Sequence, residues 1–360
     1  MKPFSTLAVL LLVFSVQLNA KTWRVNNNVG IVADFTTLSA AVNAATSGDT
    51  IHVEASATMY EYSVHIAKKL VILGPGYYLA ENSPAVANAK TQVNPNPAFI
   101  GYIYLDPGSN GSVVSGLSVY EIDPSDDNLT IERNLVQSAI YPALGTNSIS
   151  NDTIRQNVIN TINTTYTGSN NHINNLLVYN NIFTGYSPVD FSRNNGLTNA
   201  NGFFINNDFV YGYSSAVNNP ASLTSANFVY QNNIFGSVNF GAYLTSNVFF
   251  NNICLGTGIP AGNNNQQNID VAANVYNDFS PNAPNGFSSD GRYRLKSNAT
   301  PAHNAGLLNG VAIDCGAFGG PAPYILSGLP SIPAIYALSI PSQVNTGTAT
   351  LNISFSSAAH

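Results

Sequence analysis

The sequence predicts an all-β chain, with short parallel strands stacked into a solenoid, a helix at the head and a short β tail. Three observations predict it. A phrase built on paired asparagines keeps returning, apolar residues sit at fixed offsets from it, and no repeat unit carries a helical period. The phrase reads Asn180-Asn181-Ile182-Phe183, Asn206-Asn207-Asp208-Phe209, Asn232-Asn233-Ile234-Phe235 and Asn251-Asn252-Ile253-Cys254. Weaker copies are Arg133-Asn134-Leu135-Val136, Gln156-Asn157-Val158-Ile159 and Ala273-Asn274-Val275-Tyr276. With Asn134, Asn157, Asn181, Asn207, Asn233, Asn252 and Asn274 as anchors, the spacings are 23, 24, 26, 26, 19 and 22 residues.

At the N-terminus, Lys2 precedes an apolar run from Leu7 to Val16 and then Gln17-Leu18-Asn19-Ala20. This is the form of a secretory signal peptide cleaved after Ala20, and the run is too short to span a bilayer. The mature chain is therefore expected outside the cytoplasm, secreted or at the cell surface. Residues 34–45 give a short amphipathic helix with Phe35, Leu38, Val42 and Ala45 on one face. Asp34 or a following Thr caps it and Gly48 ends it. Its place is over the exposed end of a stacked core, which needs a cap.

In the repeats, the position three before the anchor holds Ile131, Ile154, Val178, Phe204, Tyr230, Phe249 and Val271. Two after it stand Val136, Ile159, Phe183, Phe209, Phe235, Cys254 and Tyr276. Both columns are apolar or aromatic, while the column two before the anchor is mixed. Alternation of this kind marks strands with one buried face. No unit can bury that face alone, so units stack and share a core. The anchor asparagine is expected to take the left-handed conformation at each bend. Copies about 4.8 Å apart let one amide bond to the next up the column. Gly116 fills the same corner one coil earlier.

The opening run Gly48-Asp49-Thr50-Ile51-His52-Val53 with Leu70–Gly76, and the closing runs Tyr293-Arg294-Leu295, Asn304-Ala305-Gly306 and Asp314–Gly319, complete the pattern. Together with the asparagine ladder they resemble the right-handed parallel β-helix, or pectin-lyase-like, superfamily over roughly residues 22–320. The resemblance implies a single-stranded right-handed parallel β-helix of about ten coils. The expected division is a signal peptide over 1–20, the β-helix over 21–320 and a Pro-rich β tail over 321–360. In that tail Leu351, Ile353 and Phe355 alternate, which suits a strand laid on the solenoid or an edge open to a partner.

Charged residues make up 8% of the chain and the net charge is −6, so no basic patch suits nucleic acid or an anionic membrane. Cys254 falls on an inward column and Cys315 several coils later, farther apart than the roughly 7 Å a disulfide allows. They are expected as separate buried thiols. The histidines His52, His65, His172, His303 and His360 show no metal-ligand spacing, and no metal is expected.

Enzymes of the resembled superfamily use carboxylates on neighbouring coils of one outer face. Hydrolysis needs an acid and a base, whereas elimination needs a base and often calcium. The candidates here are Glu132, Asp152, Arg155, His172, Asp190, Arg193 and Asp208. Asp208 stands in a column that otherwise reads Leu135, Val158, Ile182, Ile234, Ile253 and Val275, so it is either a general acid of raised pKa or a turn-bonding carboxylate. Asp190 and Arg193 share a loop and suit a ligand or each other. Glu132 and Arg155 stack as an ion pair. Tyr179, Tyr186 and Tyr211, with Tyr213 and Tyr243, could offer rings to a sugar, and Arg155 lies beside them.

Enzyme signatures associated with the superfamily (Asn-Thr-Asp with Gly-His-Gly, or an Arg-centred lyase run) are absent. The first expectation is a non-catalytic protein binding extracellular polysaccharide or a surface. The alternative is a lyase or glycoside hydrolase acting on a uronate-containing glycan through Asp190, Arg193 and Asp208, with calcium only for a lyase. A structural surface component is the third.

Overall fold

In each asparagine pair the two residues do different work. The first takes the left-handed bend: φ is 56° at Arg133, 55° at Gln156, 53° at Asn180 and Asn206, 58° at Asn232 and 56° at Asn251. Gly116 joins this column at 74°. The bend therefore lies one residue before the anchor, where the sequence pattern did not place it. The reason is geometric: the bent residue turns the chain and swings the next side chain inward.

The second residue builds the buried ladder in this computed structural model. Nδ2 of Asn134 donates to Oδ1 of Asn157 at 3.2 Å, Asn157 to Asn181 at 2.9 Å, and Asn181 to Asn207 at 3.0 Å. Asn207 donates to Asn233, Asn233 to Asn252, and Asn252 to Asn265, each at 3.0 Å. The same amides cap backbone carbonyls, as Asn207 Nδ2 does at Val178 O, 3.0 Å. Asn265, not Asn274, ends the column. Asn274 is exposed in the helix Val271–Asn274, whose N-cap Asp270 accepts from the Ala273 N–H, so the seventh copy of the phrase is not a rung.

The structure describes residues 20–82, 94–143, 148–164, 171–185, 188–191, 197–210, 217–218, 227–236, 246–279, 286–339, 341, 350 and 352–358. The signal-peptide run falls outside them. The chain is all-β in its main body and alternates between two long sheets, each of 11 strands. The first runs from Thr22–Val25 through Thr130–Glu132 and Thr153–Arg155 to Val248–Phe250. The second runs from Glu61–Ile66 through Phe99–Leu105 and Ser118–Pro124 to Ile253–Cys254. Pairing is parallel, and register follows the phrase: Ile154 faces Ile131 and Val178, and Phe209 faces Phe183 and Phe235. The result is solenoid-like.

Between the sheets lies one continuous apolar cluster from Val25 to Ile259. Its late rungs are aromatic stacks at strand spacing: Phe183–Phe209 at 4.7 Å, Phe209–Phe235 at 4.8 Å, and Phe204–Tyr230 and Tyr230–Phe249 at 5.0 Å. The helix Leu38–Ala44 covers the head of the cluster with Leu38, Ala41 and Val42 buried, and Thr37 caps it by accepting from the Ala40 N–H. Cys254 and Cys315 are both free and buried.

A second core lies outside the second sheet. Val158, Ile182, Ile234 and Ile253 pack there against Val271, Tyr276, Cys315, Ala317, Tyr324 and Leu326 from the C-terminal segment. That segment runs back along the solenoid as a strap, clipped by the outward side chains of the bent column. Asn232 Nδ2 donates to Leu307 O, Asn206 to Asp314 O at 2.9 Å, and Asn180 to Ala317 O at 2.8 Å. Gln156 reaches Pro323 O at 2.7 Å and Arg133 reaches Leu329 O at 2.8 Å. Near the head, Asp290 gathers Asn82, Tyr324 and the Ser327 N–H. Beyond the strap, Ala334–Ser339 pairs antiparallel with Ser354–Ala358, and Ile353 and Phe355 are exposed.

The division of labour within a pair is testable by urea unfolding. Asn207→Ala breaks four buried bonds and takes from the Asn181 N–H its acceptor, an orphan costing about 1–3 kcal/mol on top of the lost bonds, so a loss of ~3 kcal/mol or more is expected. Asn206→Gly keeps the bend and removes the clip, and should cost ~1 kcal/mol while exposing residues 305–331 to protease. Equal losses in the two variants would contradict the division.

Candidate functional site

Near the head of the second sheet, three strands carry aromatic and acidic residues on their outer face. Register places Ser63, Tyr102 and Glu121 in one column and His65, Tyr104 and Asp123 in the next. Between them Val64, Ile103 and Ile122 point inward and are 1%, 0% and 0% exposed. This is strand alternation: one residue feeds the core and its neighbours face out. Tyr62 and Tyr120 flank the patch and are 69% and 43% exposed.

Tyr102 is the hub of the patch. Its ring centroid lies 5.0 Å from Tyr62, 5.5 Å from Tyr120 and 6.3 Å from Tyr104. Tyr104 in turn stacks on His65 at 4.4 Å, and His65 Nδ1 meets Asp106 Oδ2 at 2.8 Å. Gly101 makes the clustering possible. A Cβ there would sit 2.2 Å from the Tyr62 carbonyl oxygen, so only glycine lets the two strands close up beneath the rings. The Tyr62 hydroxyl beside it pushes the Tyr102 phenol up to about 12.

Among the described residues no ion pair forms on Glu121 or Asp123. Burial raises Glu121 above the usual carboxylate range. Asp123 is 2% exposed and burial, then Glu121 and Asp106, push it up to about 8. Its Oδ1 has no hydrogen-bond partner among the described residues. No Lys or Arg contributes to either shift. Among the described residues no three His, Cys, Asp or Glu side chains are grouped to hold a metal ion, and no helix is long and apolar enough to cross a membrane.

The structure scatters the residues singled out from the sequence. Asp208 faces the second core, 1% exposed between Ile182 and Ile234 and beneath the strap. Burial pushes it up to about 8, only partly offset by the Ala317 N–H and the Tyr276 hydroxyl, and neither oxygen completes a hydrogen bond. Its oddity in the repeat thus reflects enclosure by the C-terminal segment. Asp190 is buried in Val189–Asp190, paired with Asn163 and Asn218. Asp208 follows Ile182, which pairs Val158, so the two acids lie five residues apart along a strand, about 16 Å. They do not form one acid pair.

Arg193, Tyr186, Tyr211, Tyr213 and Tyr243 lie outside the described residues. Arg155 donates to Glu132 Oε2 at 2.6 Å and to the Tyr179 hydroxyl at 2.8 Å, a partly buried chain of contacts on the first sheet. Asp152 accepts from the Leu129 N–H at 2.9 Å, and burial pushes it up to about 8. The tyrosine patch was missed because its strands precede the asparagine phrase. A signal did exist: Tyr102-Ile103-Tyr104 and Glu121-Ile122-Asp123 both alternate around an isoleucine.

Asp208 carries a pH consequence. Unfolded, it releases its proton near 3.8; folded, near 8. Between those values the native state holds the extra proton, so stability falls as pH rises from about 4 to about 8 and then levels. Asp123 and Asp152 act in the same direction. Asp208→Asn should therefore shrink the drop in Tm between pH 4 and pH 8, measured by thermal unfolding across that range, and an unchanged drop would contradict its burial as an acid.

Comparison with protein-family models, with curated proteins and with solved structures finds no match to this chain.

Proposed function

We propose that this is an exported protein that binds extracellular polysaccharide through the tyrosine patch of its second sheet. The finer architecture we propose with it is a single-stranded right-handed parallel β-helix of about ten coils, of the pectin-lyase-like kind. The observation that carries the reading is the gathering of Tyr62 and Tyr120 around Tyr102, on a rigid sheet with their rings open to solvent. Sugar rings present C–H faces and hydroxyl rims; tyrosines match both, with an apolar ring and a polar tip. A site held on strands loses little entropy when a ligand arrives. The apolar run Leu7–Val16 supports export.

Binding without bond cleavage is the better-supported form. A general acid must come within hydrogen-bond reach of the leaving oxygen. Asp123 and Asp208 have acid-like pKa values but are enclosed, at 2% and 1% exposure. The alternation that gathers the tyrosines does not bring Asp190 and Asp208 together.

Co-sedimentation with insoluble polysaccharides tests the reading. Tyr102→Ala should weaken retention about tenfold, the loss of roughly 1–1.5 kcal/mol of ring contact. Tyr179→Ala, on the other sheet, should leave it unchanged. Retention that survives Tyr102→Ala together with Tyr62→Ala would refute the patch as the binding surface.

A further inference from the structure

The patch has a sign as well as a shape. Asp106, Glu121 and Asp123 all act on Tyr104 in the direction that like charges do, raising its phenol after burial has already done so. Asp123 is enclosed with Oδ1 unpartnered among the described residues and feels Glu121 and Asp106, both acids. Glu121 is half-buried, reachable from solvent, and stands in the same column as Tyr102. The groups facing Asp123 are Tyr104 and His65 on one side, Asp106 and Glu121 near it, and, just past the next strand, Leu135–Ile140, Tyr141, whose N–H donates to Ile122 O. His65, occupied by Asp106, is the sole base in this set.

Glu121, with no Lys or Arg paired to it among the described residues, stands beside exposed electron-rich rings, and such a surface is short of a cation. Tyrosine faces attract ammonium groups within about 6 Å of the ring centroid. A carboxylate beside the ring adds a charge-assisted hydrogen bond. A polyanion meets the opposite: rings without a cation, and acids that repel it.

Building on the polysaccharide-binding reading, we infer that the patch selects a polymer of hexosamine with free amino groups, its ammonium seated over Tyr102 beside Glu121. The polymer backbone runs across Tyr62 and Tyr120. Asp106 and Asp123 contribute through space and do not touch the ligand. Amine binding draws the enclosed acid toward its ionised form, because a nearby positive charge offsets the burial that keeps it protonated. Retention is also expected to weaken with added salt, as it would for any exposed ion pair.

The experiment is co-sedimentation of the full chain with three insoluble probes at mildly acidic pH. The probes are poly-glucosamine, the same polymer fully N-acetylated, and cross-linked polygalacturonate. The expected result is at least tenfold tighter retention on poly-glucosamine than on the N-acetylated polymer, with the weakest retention on polygalacturonate. Glu121→Gln should erase the difference between the first two, while Tyr102→Ala weakens both. Elution of the unaltered protein by free glucosamine but not by N-acetylglucosamine tests the same point without any variant. Equal retention on the amine and N-acetyl polymers, or preference for polygalacturonate, overturns the amine inference and leaves the patch as a glycan surface. No retention on any of the three overturns the polysaccharide reading and the inference with it.

Discussion

One carboxamide per rung, bonded to the carboxamide of the next, fixes the register of the two sheets. From Asn157 on, each ladder oxygen accepts from a side-chain N–H and from the backbone N–H of the preceding anchor, as Asn233 Oδ1 does from Asn207 at 3.0 and 2.8 Å. In a dry interior such groups are costly to leave unpaired, so a slip of one rung by one residue is heavily penalised. Apolar stacking alone does not provide this. Rings such as Phe183 and Phe209 attract each other in many offsets, whereas an amide ladder closes in one.

The pairing of two asparagines solves two problems at one corner. Asn180 bends the chain and points out to Ala317 and Gly319; Asn181 points in to Asn207. The outer contact holds a strap, and the strap hides an apolar outer face that would otherwise be wet. The head of the second sheet carries a tyrosine surface in place of such cover, with Tyr62 and Tyr120 exposed. Covered and open stretches of one sheet thus follow from which outward columns are isoleucine and which are tyrosine and acid.

The apolar columns were legible in the sequence because strand period and repeat length agree on every rung from Ile131 to Phe249. The helix near Leu38 was legible for the same reason, as a local pattern. Other features depend on partners far along the chain. The letters Asn180 and Asn181 are identical, and only the bend tells them apart. Asn265 escaped because the last ladder step shortens to 13 residues, and Asn274 misled because its neighbours mimic the phrase. The setting of Asp208 is decided by burial under the C-terminal segment around Cys315 and Ala317, about a hundred positions on. The tyrosine patch needs the register of Tyr102 on Glu121, which no spacing announces, since the loops joining those strands differ in length.

The strap travels opposite to the rungs it binds. Leu307 meets Asn232, whereas Leu329 meets Arg133, nearly a hundred residues earlier in the chain. A polypeptide emerging head first can therefore wind its rungs in order, yet its outer seam stays open until the strap appears. Closure then proceeds tail to head, like a zip drawn backward. The seam adds contacts of long sequence separation to a pile of near-neighbour ones, and such contacts form slowly. Closure of the outer flank is thus timed by the arrival of residues 305–331, and a chain cut before them would keep that flank greasy.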